Sequence, residues 1–184
     1  MKTVIVGCGR VGAEIAEHLD RSGHEVLVID VQTGAFERLP ESFGGNAIRA
    51  DGTDEEALRR AGAEDADLFL ALTEGDNRNV MATQLAAEVL GARQVVAKVN
   101  DPVRANAYAE LGLATLCRTN LMEDAINDFV GLPRLHDPGV IAPRGVHPGG
   151  DHHIQAGDAA AAEQPPLAPP AVNDRPVPAA GREA

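Results

Sequence analysis

One hexapeptide constrains this chain more than anything else in it. Gly7-Cys8-Gly9-Arg10-Val11-Gly12 has the spacing Gly-x-Gly-x-x-Gly. It follows the apolar run Thr3–Val6 directly and leads into a segment that reads as a helix, with Val11, Ile15 and Leu19 as its stripe and Gly23 as its stop. Within a βαβ unit of about thirty residues, that context makes the spacing a dinucleotide-binding fingerprint. Gly7 permits the tight turn, Gly9 lets a pyrophosphate approach the backbone, and Gly12 allows close helix–strand packing. The helix start then offers free N–H groups and a positive dipole end to phosphate.

The rest of the first 117 residues repeats this alternation. Short apolar runs recur at Val26–Ile29, Ala47–Ile48, Leu68–Leu72, Val95–Val99 and Leu113–Cys117. They are mostly continuous rather than alternating, which suits strands covered on both faces of a parallel sheet. Between them lie helical segments with their own punctuation. Thr53 with Glu56 reads as a capping box closed by Gly62, and Asp101-Pro102 as a cap and first-turn proline ending at Gly112. A longer helix runs from Asp76 to Leu90 with Val80, Leu85 and Val89 inward. Six strands and five helices, the second of them short, predict an α/β fold: a doubly wound, Rossmann-like domain on a six-stranded parallel sheet. A last helix, capped by Asn120 with Glu123, carries Met122, Ala125, Ile126, Phe129 and Val130 on one face. That face needs a partner, either its own domain or another subunit.

Composition then divides the chain. All five aromatic residues precede position 131, and ten of the twelve prolines lie at or after Pro133. Residues 1–131 are therefore expected to form the folded domain and residues 132–184 a largely disordered Pro/Ala/Gly-rich tail. Within the tail, Gly139–Ala142 could form a short strand, and His147, Asp151, His152 and His153 read as solvated rather than metal-binding. Residues 1–132 hold 12 Lys/Arg against 22 Asp/Glu, a net charge of -10. With no basic patch, that balance excludes nucleic acid as a partner. The apolar runs are too short for a membrane-spanning helix. The opening strand is not a secretory signal, so the cytoplasm is the expected compartment. Cys8 and Cys117 fit neither a disulfide framework nor a metal motif.

Further ligand residues follow from strand ends. Asp30, eighteen residues after Gly12, ends the second strand, where a carboxylate accepts from both ribose hydroxyls and repels a 2′-phosphate. Asp51, Gly52 and Thr53 follow the third strand and border the adenine position. Thr73 and Asp76 follow the fourth, at the carboxyl edge. Reaction equipment is absent: there is no room for a substrate domain, no Tyr-x-x-x-Lys pair, and neither His18 nor His24 lies at a strand end. The residues still leave open a small NAD-dependent oxidoreductase or epimerase. They also leave open a sensor of nucleotide or redox state acting on a soluble partner. In that case Cys8 would be a thiol activated by the helix start rather than a buried filler.

Gly7-x-Gly9-Arg10-x-Gly12, Asp30, Ala50-Asp51-Gly52-Thr53-Asp54 and Thr73-x-x-Asp76-x-x-Asn79 together resemble a TrkA-type RCK (KTN) nucleotide-binding domain. The resemblance covers residues 1 to about 131. It implies a non-enzymatic cytosolic subunit that binds ATP, ADP or NAD(H) and regulates a membrane-embedded Trk/Ktr potassium transporter subunit from the inner face of the membrane. It also implies a homodimer or a larger ring. Residue by residue, Gly7, Cys8, Gly9, Arg10, Val11, Gly12 and Asp30 would hold phosphates and ribose. Arg10 would reach terminal phosphates, including those of a neighbouring subunit. Asp51 and Thr53 would line the adenine pocket, and Asn120–Val130 would be the crossover helix of the dimer. Two departures stand out. Lys98 occupies a fifth-strand position where the family often has arginine, and residues 133–184 do not supply the second ligand-binding lobe many members carry.

Overall fold

The computed structural model describes residues 1–136. The expected tail beyond them, with its candidate strand at 139–142 and its histidines at 147, 152 and 153, lies outside the described residues.

Six strands form one parallel sheet in the order β3-β2-β1-β4-β5-β6. They are β1 (Lys2–Val6), β2 (Glu25–Asp30), β3 (Asn46–Arg49), β4 (Leu68–Ala71), β5 (Gln94–Val99) and β6 (Thr115–Cys117). The connections are α1 (Arg10–Arg21), a 3-10 turn at Thr33–Arg38, α2 (Glu55–Arg60), α3 (Asp76–Glu88) and α4 (Pro102–Glu110), and α5 (Arg118–Val130) follows β6. This is the expected doubly wound arrangement. Its strand order reverses between β1 and β4, and ligands of such sheets bind outside the carboxyl ends at that point.

Two apolar layers sandwich the sheet. Val4, Val6, Phe69 and Ala71 face one way and pack with Leu58 of α2 and Ala82 and Ala86 of α3. Ile5, Val26, Val28 and Leu72 face the other way, against Ala13 and Ala16 of α1. A third cluster joins Ala97 and Val99 of β5 to Val80 and Ala105. Small residues at the helix contacts let the helices lie close to the sheet, which differs from the expected stripes. Val11 is exposed, and α1 buries Gly12, Ala13 and Ala16 instead, with Ile15 and Leu19 half-buried. Val89 is likewise exposed, while Asn79 and Thr83 are buried on α3.

Two caps also differ from expectation. Asp54, not Thr53, caps α2, accepting from the Ala57 N–H at 3.0 Å. A carboxylate there satisfies an orphan donor and meets the positive end of the helix. Asn120 is no cap, because α5 already begins at Arg118, and its side chain is buried inside the helix's first turn. Asp101 does cap α4, with Pro102 in the first turn. α5 ends at Gly131 in the left-handed region, φ 76°. The chain beyond stays tied to α5: Arg134 pairs with Asp128, and the Leu135 and His136 amides donate to Asp124. Those bonds draw the Asp124 carboxyl below its usual range, against the opposing pull of its burial. No helix among the described residues is long and apolar enough to cross a membrane.

Candidate functional site

Two of the three fingerprint glycines are required by the fold, for different reasons. Gly7 has φ 107°, and a Cβ there would stand 2.9 Å from the Thr73 backbone nitrogen. Its own N–H donates to Ile29 O at 2.7 Å, which locks the loop to β2. At Gly12 a Cβ would fall 2.0 Å from Gly7 O, so only glycine lets α1 start this close to β1. Gly9 is the exception. A Cβ there would meet nothing within 4 Å, and the residue is exposed. The protein's own packing does not call for glycine at this position, whereas a ligand approaching the backbone would.

Gly9 is also the N-cap of α1. It provides no side-chain acceptor, and the first turn carries no acidic residue. Contrast α2, whose start has Asp54, Glu55 and Glu56. The first N–H groups of α1 are thus left to an external acceptor at the positive end of the dipole. Arg10 is exposed beside them. A phosphate fits this donor set in shape and charge.

Asp30 lies at the end of β2 as expected. One carboxylate oxygen accepts from the Cys8 N–H at 2.8 Å and the other from the Gln32 N–H at 2.9 Å. These two bonds fix the carboxylate beside the glycine loop and leave lone pairs on both oxygens. Next to it, Val31, Arg49, Ala50 and Asp51 line an open cleft of about 240 Å³. Asp51 accepts from both the amide (2.9 Å) and the hydroxyl (2.8 Å) of Thr53. Those bonds hold the Asp51 carboxyl below its usual range, with Arg78 adding a smaller pull and partial burial opposing. Thr53 therefore braces Asp51. Gly52 is buried on β1, since a Cβ would stand 2.2 Å from Val6 Cγ1.

Cys8 is fully buried. Burial pushes its thiol up, and the Asp30 charge adds to that, while Arg38 opposes. A fully buried thiol of this kind suits a small core filler better than a reactive group.

Thr73 and Asp76 sit on the other side of the reversal point, and their polar atoms are engaged by the chain itself. The Thr73 N–H and hydroxyl donate to Asn79 Oδ1 at 2.9 and 2.6 Å. Asn79 is fully buried, and its Nδ2 donates to Thr73 O and Lys98 O. Asp76 Oδ1 accepts from the backbone and side-chain nitrogens of Asn100 at 2.9 and 2.8 Å. Sequence reasoning did not mark Arg49, Val31 or Arg78 as site residues. Arg49 could have been found from its place at the end of β3, beside Asp30 in register. No group of side chains among the described residues is arranged to hold a metal ion.

The TrkA-N domain model matches residues 3–119 of the chain. The Trk system potassium uptake protein TrkA of Streptomyces coelicolor is 43% identical over 124 residues, covering 67% of this chain and 56% of that protein. A TrkA homolog of Pyrococcus abyssi is 31% identical over 111 residues, or 60% of this chain and 49% of that protein. The chain thus spans about half the length of these curated relatives. Among solved structures, the TrkA-N domain of an Escherichia coli inner membrane protein aligns with a TM-score of 0.62 at 18% identity, covering 70% of this chain and 96% of that one. The NAD(P)-binding domain of an exopolyphosphatase-related protein from Archaeoglobus fulgidus gives 0.59 at 22% identity, covering 71% and 97%. At such identities the likeness is one of fold.

Proposed function

Because this chain belongs to the TrkA-N domain family, we propose that it is the nucleotide-binding regulatory lobe of a potassium uptake system. The lobe comprises residues 1–131. It works by binding rather than turnover, at the cytoplasmic face of the membrane and through a transporter partner. The observation that carries nucleotide binding is the exposed, unobstructed Gly9 at an α1 start with no acceptor of its own. Potassium uptake comes from the relatives, whose names carry it.

In this reading the phosphates lie on Gly7–Gly12, the ribose diol on Asp30, and the base in the cleft beside Asp51. Gly52 and Thr53 shape that cleft, and Thr73 and Asp76 brace the opposite wall. A ligand moves such a protein between two arrangements only as far as it binds them with different affinity. A second copy of the chain would provide the difference. The face proposed for it is α5, where Met122, Ile126 and Phe129 are 61, 55 and 89% exposed. Covering such an apolar face favours assembly, in opposition to the translational and rotational freedom lost on association.

Mass spectrometry of the nucleotide released from purified protein tests the ligand: ATP, ADP or NAD(H) is expected, and an absence of adenine nucleotide counts against the site. Sedimentation of the Ile126→Asp, Phe129→Asp double variant tests the assembly: monomers are expected, and an unchanged dimer places the interface elsewhere.

A further inference from the structure

β6 is an edge strand whose outer side is buried. Among the described strands it pairs with β5 alone. Ala97 donates to Ala114 O at 3.0 Å, and Ala97 stands opposite Thr115 in register. Backbone groups alternate in direction along a strand, so Ala114 and Leu116 bond β5 while the Thr115 N–H and C=O point away from it. The Thr115 hydroxyl is spent on Ala105 O at 3.3 Å. No other described residue bonds the Thr115 backbone. Yet Thr115 is fully buried. A buried backbone N–H and C=O left unpaired are rare and costly, so this edge calls for a strand beside it.

The chain after α5 runs toward that edge. It turns at Gly131 and comes back along the helix: Arg134 pairs with Asp128, then the Leu135 and His136 amides donate to Asp124 at 3.0 and 3.3 Å. Asn120 lies one turn further back on the same face. It is 7% exposed, and its Oδ1 has no partner among the described residues. That oxygen stands where the next donors of the returning chain would pass; Pro138 has no N–H, and Gly139 has one. From Asp124 to the start of α5 at Arg118 is six residues, or about 9 Å of helix. Residues 137–139 would span it, at about 3.3 Å each when extended. Cys117 leads into Arg118 without a loop, so Val140, Ile141 and Ala142 would then stand beside β6. Two of them are β-branched, and Pro143, which cannot donate to a ladder, suits the end of an edge strand.

We infer that the outer edge of β6 is a docking surface for the chain's own residues 139–142, which add to the sheet as a seventh strand, antiparallel to β6. The direction follows from the return path, since the segment meets the Cys117 end of β6 first. An antiparallel edge strand on an otherwise parallel sheet is a common finish for a fold of this kind. It gives the Thr115 backbone its partners and closes an edge that could otherwise pair with another chain. It also clasps α5 along its Asn120, Asp124 and Asp128 side, leaving Met122, Ile126 and Phe129 facing outward. The inference is independent of the nucleotide reading.

Amide exchange and nuclear Overhauser spectra of the full chain test this. Slow exchange is expected at Thr115, with cross-strand contacts from its backbone to Val140 or Ile141. Alternate amides face a partner strand, so Val140→Pro and Ile141→Pro are made separately. At least one of them is expected to speed Thr115 exchange by about tenfold or more, with the amides of β1 and β4 unchanged. The spectra of the unaltered chain decide the matter even where a variant fails to fold. Fast exchange at Thr115 in that chain overturns the strand, as does a protected Thr115 that neither proline affects. Protection that falls on dilution overturns it too, giving the edge to a second copy of the chain.

Discussion

The carboxyl edge of the sheet has two halves, and they treat their polar groups in opposite ways. In the half built by β1, β2 and β3, donors and acceptors are oriented but not used up. The α1 start has no acceptor of its own, Asp30 takes one N–H on each oxygen, and Asp51 faces an open cleft. In the half built by β4, β5 and β6, most of the equivalent groups are consumed internally, the buried Asn100 Oδ1 excepted. Thr73, Asp76, Asn79 and Asn100 bond one another across the strand ends. One half keeps hydrogen-bonding capacity for a ligand, and the other spends it on rigidity. Position at the carboxyl edge alone does not identify a ligand residue; the state of its lone pairs and protons distinguishes the two cases.

Removing Asn79 is the strongest test of that contrast. Its side chain is fully buried and bonds Thr73 at three places and Lys98 at one. Asn79→Ala would strand a backbone N–H and two carbonyls, each costing roughly 1–3 kcal/mol when left unsatisfied. A loss of about 2–4 kcal/mol is expected in urea unfolding. A loss below about 1 kcal/mol would mean that solvent or a rearranged loop replaces these bonds, and the β4–β6 half would not be a rigid lock.

The two halves were also unequally legible in the sequence. The glycine spacing, Asp30 and the order of short apolar runs carried the fold and the backbone geometry of the open half, because they reflect backbone constraints that a linear pattern records. Gly12 is needed by a contact within its own βα unit, and Gly7 by its positive φ and by the Leu72–Thr73 backbone after β4. The errors arose where two nearby groups competed for one role. Thr53 and Asp54 both suit a helix cap, and the carboxylate takes it while the hydroxyl braces Asp51. Val11 and Val89 fit a helical stripe by period. They lost to Ala13, Ala16, Ala82 and Ala86, because close approach of helix to sheet favours small residues. The locking role of Asn79 depends on Lys98 O, nineteen residues away. No local pattern reports such a partner. The exposed face of α5 was visible as a face, though its lack of cover within the domain became visible only with the neighbouring elements in place.

Within the open half, Gly9→Ala should spare stability and reduce binding, whereas Asp30→Ala should reduce binding and also cost some stability, because it leaves the Cys8 N–H at a buried position without its acceptor. Asp30→Ala removes a charged acceptor from the ribose, a loss of roughly 1.5–3 kcal/mol in affinity for adenosine nucleotides. Gly9→Ala adds a methyl group where the protein offers open space. Its unfolding midpoint should stay near that of the parent, while phosphate-bearing ligands lose affinity. Calorimetry and urea titration on the same two variants separate the effects. Asp30→Ala with unchanged affinity would remove the ribose assignment. Gly9→Ala with unchanged affinity would show that the ligand does not approach this loop.

The smallest effect expected in a single protomer belongs to Arg10, and its size tells whether the open half is complete by itself. Arg10 is exposed at the α1 start. A solvated guanidinium gains under about 1 kcal/mol from an anion, and salt screens that gain. The same guanidinium gains more when a second copy excludes water around it. Arg10→Ala should therefore lower ATP affinity by under about 1 kcal/mol in the monomeric Ile126→Asp, Phe129→Asp background. In the assembled protein it should cost more, and it should narrow the gap between ATP and ADP, because its charge meets the terminal phosphate and not the base or ribose. Measuring both backgrounds at low and high salt checks the argument. A loss that is equal for ATP, ADP and NAD, or the same in monomer and assembly, would make Arg10 a solvated residue at a helix start and leave ligand discrimination to the buried part of the site.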